Sequence, residues 1–254
     1  MQREAFIQQL WLDYVHHQPD IGGLRLWPVT TRVEYLTLLT LSHGPWEMNA
    51  LLPLLATHGY QPRHRYAMAD RGLLVTLLAT ADHQAPSLVL AELQLGTLSR
   101  GPRERLRRLV DRAEARPSLT LPCGGRPWPM PSWDDYQALA QAHPLAGRLA
   151  VLGTRVHHTG FDCHDIGDDI DRLDAQLHQA GFFGDADRQH GVFPVSPLLD
   201  YRFYATHSQR LPFADGDLHR VPLGGLALVQ KRVNANQERC AELLLPHHTR
   251  CELG

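Results

Sequence analysis

The chain has 254 residues, 43% hydrophobic and 20% charged, a balance that suits a globular protein with one large core or two modules of roughly 100–150 residues. A formal net charge of −2 leaves no global field to recruit nucleic acid or an anionic membrane. No apolar run approaches the roughly 20 residues that span a bilayer, and the opening MQREAFIQQLWLDYV lacks a signal-peptide core, so a cytoplasmic location is expected.

Residues 4–16 place Phe6, Ile7, Leu10, Trp11, Tyr14 and Val15 on a helical stripe, within an N-terminal helical region 1–18 that Pro19 and Gly22–Gly23 are expected to stop. Residues 32–41 (RVEYLTLLTL) read as a strand, and Trp46–His58 as an apolar helix closed by Gly59. Strands are predicted at 60–68, 72–80 and 86–95. The Arg-rich run Arg100–Arg112 reads as a solvated helix face, followed by a Pro/Gly-rich loop (121–131) and a helix over 132–143.

The order then recurs. A strand is predicted at 153–163 and a helix over Asp169–Ala180, with Asp168 as its N-cap and Gly181 at its end. Strands follow near 191–195, 201–211 and 218–231, with a turn at Asp215–Gly216. The fold class predicted is α+β, with two βαβββ modules of the vicinal-oxygen-chelate (glyoxalase-like) type around a shared pocket. The modules span 30–98 and 151–232, with a helical insert at 99–150 and a tail at 233–254. The alternative is a mixed α+β sandwich without a special pocket.

The chemistry-bearing stretch is TRVHHTGFDCHD (154–165), with three histidines, two aspartates and a cysteine. Alternation would put Val156, His158, Gly160 and Asp162 on one face and His157, Thr159, Phe161 and Cys163 on the other. The four cysteines (Cys123, Cys163, Cys240, Cys251) form no CxxC pair, which argues against a disulfide framework or a thiolate zinc site. Lys231 is the only lysine.

FIQQLWLDYV (6–15), CGGRPWPMPSWDDYQALA (123–140), GTRVHHTGFDCHDI (153–166) and FADGDLHRVP (213–222) together resemble the 2-oxoadipate dioxygenase/decarboxylase (hydroxyglutarate synthase) family from about residue 4 to 232. The resemblance implies a vicinal-oxygen-chelate-like core. It also implies Fe(II) held by two histidines and a glutamate, with open positions for a 2-oxo acid and O₂. His158 falls on one histidine ligand. The other falls on Val33 or Glu34, the family's carboxylate-gripping arginine on Thr37 or Leu38, the glutamate on Ala227, and a further polar position on Leu77.

Glu34 reads either as a replacement ligand or as a solvent-facing residue beside Arg32, and His207 as a further replacement ligand. Glu92 reads as a support for His158 or a partner for an arginine. Arg126 and Trp128 read as a pocket wall or carboxylate clamp, or as a loop pinned by Trp packing. Tyr35, Glu92, Arg126, Trp128 and Ala227 are the pocket candidates; the catalytic set is not assigned.

The expectation is a divergent family member that binds a small carboxylate-bearing or apolar ligand, with Fe(II) oxygenase activity reduced or lost. Such a chain would bind neither nucleic acid nor membrane, and a role beside a partner protein is compatible with it. The alternative is an active dioxygenase/decarboxylase using Fe(II) or another divalent metal through re-sited ligands drawn from Glu34, His158, His207 and Glu92. The remaining alternative is a metal-free enzyme in the same cavity.

Overall fold

The computed structural model describes residues 2–82, 85–114, 125–184, 193 and 199–232. The N-terminal stripe forms α1 (Arg3–His17), burying Phe6, Leu10 and Tyr14. α1 does end before Pro19, with Gln18 out of the helical region at φ −134°, but the proline does more than stop it. It opens a second short helix, α2 (Pro19–Gly23), from the first position, where its missing N–H has no intrahelical partner to lose.

The Leu/Thr-rich stretch is β1 (Tyr35–Leu41), buried along its whole length. After a single turn at Gly44–Trp46 come α3 (Met48–Ala56), β2 (Tyr60–Met68), β3 (Leu73–Thr80) and β4 (Ser87–Leu93). Gly59, at φ +84°, supplies the left-handed step from α3 into β2. Among the described residues, three helices lie between the halves: α4 (Arg100–Val110), α5 (Trp133–Ala142) and α6 (Pro144–Leu152). Helix α6 is not among the elements expected from the sequence, although Pro144 sits at its first turn and every residue from Leu145 to Leu152 is buried. A helix buried on all sides carries no amphipathic period to detect.

The second half comprises β5 (Val156–Asp162), α7 (Cys163–Ile166), α8 (Ile170–Gln179), β6 (Phe183–Gly184), β7 (Leu199–Ala205), β8 (Gln209–Pro212), β9 (Leu218–Val221) and β10 (Gly225–Lys231). Asp169, not Asp168, caps α8, accepting from the N–H groups of Asp171 and Arg172. The strand expected near 191–195 falls outside the described residues apart from Phe193. The long strands expected at 201–211 and 218–231 are each divided, because β8 and β9 leave the main sheet and pair with one another.

The main sheet runs β2-β3-β4-β1-β5-β10-β7-β6. β1 is parallel to β4, β5 is parallel to β10, and β1 and β5 meet antiparallel at the centre. Each half therefore repeats one strand order outward from the β1–β5 seam. These are the two βαβββ modules, the second carrying the β8–β9 hairpin between its third and fourth strands. Tyr14 ties α1 to this seam region, its phenol donating to Gly225 O at 2.6 Å.

Candidate functional site

Thr37 of β1 pairs with His158 of β5, but the next pair is Leu38 with Val156. His157 is thus an extra residue on β5, a β-bulge, and bulges re-aim side chains that alternation would separate. The two imidazoles meet at 2.8 Å between their Nδ1 atoms. Both touch Phe203, His157 by stacking (centroids 5.5 Å apart) and His158 edge-on (5.3 Å). The opposite-face expectation for these histidines is corrected by this bulge.

The bulge is held from below. Gln18 donates to His157 O at 3.3 Å, and a Cβ on Gly224 would lie 2.0 Å from that same oxygen, so only glycine admits the approach. Tyr35 stands over Gly160 in the same way, its ring occupying the space where a Cβ would be 1.9 Å away.

His158 is fully buried. Its Nε2 lies 3.2 Å from both Thr37 Oγ1 and Tyr201 Oη. Tyr35 meets the imidazole edge-on at 5.6 Å, and Phe193 packs on Tyr35 and Tyr201 at 5.1 and 5.5 Å. Burial, with the Tyr201 and Tyr66 phenols beside it, raises Tyr35 well above the ordinary tyrosine range, and burial raises Tyr66 likewise. The Tyr35 and Tyr66 phenols are neutral at physiological pH.

The expected ligands do not converge here. Glu34 is neither a ligand of this group nor solvent-facing: its carboxylate takes Lys231 Nζ at 2.5 Å, and Asp162 faces the same ammonium at 3.4 Å. His207 is exposed, lies outside any strand, and pairs with Asp20 at 3.0 Å. Glu92 is buried and supports α3, accepting from the Met48 N–H at the helix start and from Gln94 Nε2 at 2.5 Å. Among the described residues it neither supports His158 nor pairs with an arginine.

Trp128 is core, donating to Ala150 O at 2.8 Å and meeting Trp46 edge-on, while Arg126 donates to Trp128 O. These contacts fit the pinned-loop reading. Ala227 does share the site, buried in β10 beside Gly160 and Phe203. Tyr35 is also part of it. Tyr201 and Phe203 are partners that the sequence does not single out, and Thr37 enters the sequence reading only as the place of a missing arginine.

A divalent metal at His158 Nε2 would find one imidazole and two hydroxyls, with His157 at the other ring nitrogen and a methyl group where the resemblance expects a carboxylate. Among the described residues no three His, Cys, Asp or Glu side chains gather as a metal site. Fe(II) affinity comes from converging charged or imidazole ligands, and this donor set does not fit it. The arrangement suits hydrogen bonding to a neutral carbonyl or a carboxylate instead. Cys163 is no nucleophile, since burial raises its thiol to about 12.

The two-module sheet with its histidine-bearing central seam defines the vicinal-oxygen-chelate, glyoxalase-like fold class. No family model matches the sequence, and no curated protein does. Among solved structures, a protein of Shewanella frigidimarina NCIMB 400, provisionally described as a hydrolase, is similar over 93% of this chain and 95% of its own, with TM-score 0.79 at 21% identity. Hydroxyglutarate synthase of Oryza sativa, solved in complex with 2-oxoadipate, is similar over 98% of this chain and 87% of its own (TM-score 0.78, 18% identity). A protein of Ralstonia eutropha JMP134, provisionally placed in the glyoxalase superfamily, covers 88% and 80% (TM-score 0.68, 16% identity). These likenesses establish the fold.

Proposed function

We propose that this chain is a divergent relative of the 2-oxoadipate dioxygenase/decarboxylases. It holds a small carboxylate-bearing or apolar ligand beside the His157–His158 bulge, with Fe(II) oxygenase chemistry reduced or lost. The observation that carries this reading is the occupancy of His158 Nε2 by the Thr37 and Tyr201 hydroxyls, with Ala227 on the neighbouring strand. The fold shared with a hydroxyglutarate synthase solved with 2-oxoadipate supports a small carboxylate as the ligand class. No described helix is long and apolar enough to cross a membrane.

The residues divide the work by chemistry. The hydroxyls and imidazoles orient polar atoms of the ligand, and Tyr35, Phe193 and Phe203 exclude water around them. The competing reading, an active metal enzyme with re-sited ligands, requires Glu34 to leave Lys231 or His207 to leave Asp20.

Oxygen uptake and ligand-induced thermal stabilisation separate the two. With 2-oxoadipate and Fe(II), the proposal expects stabilisation that is the same with and without metal and no oxygen uptake above the metal-only control. Metal-dependent oxygen uptake abolished by His158→Ala would overturn it.

A further inference from the structure

α6 carries one charged residue, Arg148, in the middle of PLAGRLAVL, and that residue is buried with 6% exposure. Its Nε donates to Leu223 O at 2.6 Å and one Nη2 bond reaches Val156 O at 2.9 Å. Its Nη1 has no hydrogen-bond partner among the described residues. No carboxylate forms a salt bridge with the guanidinium among the described residues: Asp13 attracts it electrostatically but pairs with Arg155 at 3.5 Å. Burial lowers Arg148 to about 9, so it remains a cation at neutral pH. A buried cation with only carbonyl partners is an expensive arrangement unless an anion completes it.

Arg148 lines a cavity of about 250 Å³. Tyr136, His157, Phe203, Ala205 and Pro222 contribute to the same wall. The lining of the cavity therefore combines the arginine and the bulge histidine with apolar surface from Phe203, Ala205 and Pro222. That combination matches a short aliphatic chain ending in a carboxylate, whose two oxygens suit a guanidinium fork. The arginine that the family resemblance expects on β1 is absent, and α6 offers one from a different element.

We propose that Arg148, with His157 beside it, is the anchor of a carboxylate-binding site in this cavity, and that its ligand is a small aliphatic mono- or dicarboxylate. The inference rests on the reading that the chain binds a small carboxylate, and names the group that grips it. His157 couples the site to the centre of the sheet through its contact with His158, so ligand at Arg148 is read at the seam without any metal.

Calorimetric titration with 2-oxoadipate, glutarate and the neutral dimethyl glutarate tests this on the wild type, Arg148→Met and Ala205→Phe. Ala205 is exposed at the cavity wall, so the phenylalanine narrows the cavity while leaving Arg148 and its carbonyl bonds in place. The expected result is metal-independent binding of the acids but not the ester, at least about tenfold weaker in both variants.

Should Arg148→Met fail to fold, the Ala205→Phe and ester comparisons carry the test. Wild-type affinity in either folded variant, or equal binding of the ester, overturns the Arg148 anchor and leaves carboxylate binding itself intact. No binding of either acid to the wild type overturns both.

Discussion

Thr37 faces His158 directly across the β1–β5 seam, its hydroxyl 3.2 Å from the imidazole Nε2. Tyr201 reaches the same nitrogen at the same distance from β7. A hydrogen-bonded triad thus sits where the two modules meet. Removing a single hydroxyl should be mild and removing both severe, because a buried imidazole nitrogen left without a partner bears its full desolvation penalty. Thr37→Val and Tyr201→Phe are each expected to lower unfolding stability by about 1 kcal/mol. The double variant should lose more than the sum, measured by urea denaturation.

Gly160 and Tyr35 form a lock of a different kind, since the tyrosine ring fills the space a Cβ would need. Gly160→Ala should cost about 1–3 kcal/mol by overpacking. Tyr35→Leu in the same chain should recover part of that loss, because the shorter side chain vacates the space. An additive double variant would contradict the contact.

The pH dependence of stability has an identifiable contributor in His143. Its Nδ1 accepts from the Leu145 N–H at the start of α6, and its Nε2 lies 2.9 Å from Arg71 O, a pairing only the neutral Nε2–H tautomer satisfies. Burial lowers its pKa below the ordinary 6.5, against the opposing effect of the Arg71 carbonyl. The unfolded chain therefore binds the proton more readily, and stability rises with pH. This contribution is complete above about pH 6.5 and is lost as pH falls from there toward the lowered value in the folded protein. His143→Asn, which keeps a capping acceptor, should flatten that part of a stability-versus-pH curve. An unchanged slope would remove His143 as the cause.

Much of the first module is legible in the sequence because each apolar run is bounded by strong breakers, the Asp70–Gly72 turn and the Asp82–Pro86 loop among them. The second module is less so. β6 is only two residues long, and the β8–β9 hairpin interrupts what local composition presents as continuous strands. His158 stands out through the family resemblance, but its partner Thr37 lies 121 residues away and is chosen by strand register. The bulge at His157 likewise arises from pairing, which local alternation does not encode. Glu34 reads wrongly from its neighbours because its partner is Lys231, 197 residues distant. Arg148 does carry a signal: a single charge in an otherwise apolar run needs a reason to be buried.

Cys163 offers a check on the burial of the β5–α7 junction. Raising a thiol from 9.0 to about 12 reduces its thiolate at neutral pH about a thousandfold. In a chain whose other cysteines are replaced by serine, Cys163 should resist a thiol reagent until denaturant is added. Prompt labelling under native conditions would contradict its placement.

The central claim is that His158 belongs to a hydroxyl and aromatic cluster whose donors do not suit Fe(II). The most direct measurement is metal content per chain after anaerobic Fe(II) loading and desalting of untagged protein, with His158→Ala alongside. The account predicts equal, near-zero retained iron in the wild type and in His158→Ala. About one tightly held iron per wild-type chain, lost on the His158→Ala substitution, would contradict it and make His158 a metal ligand.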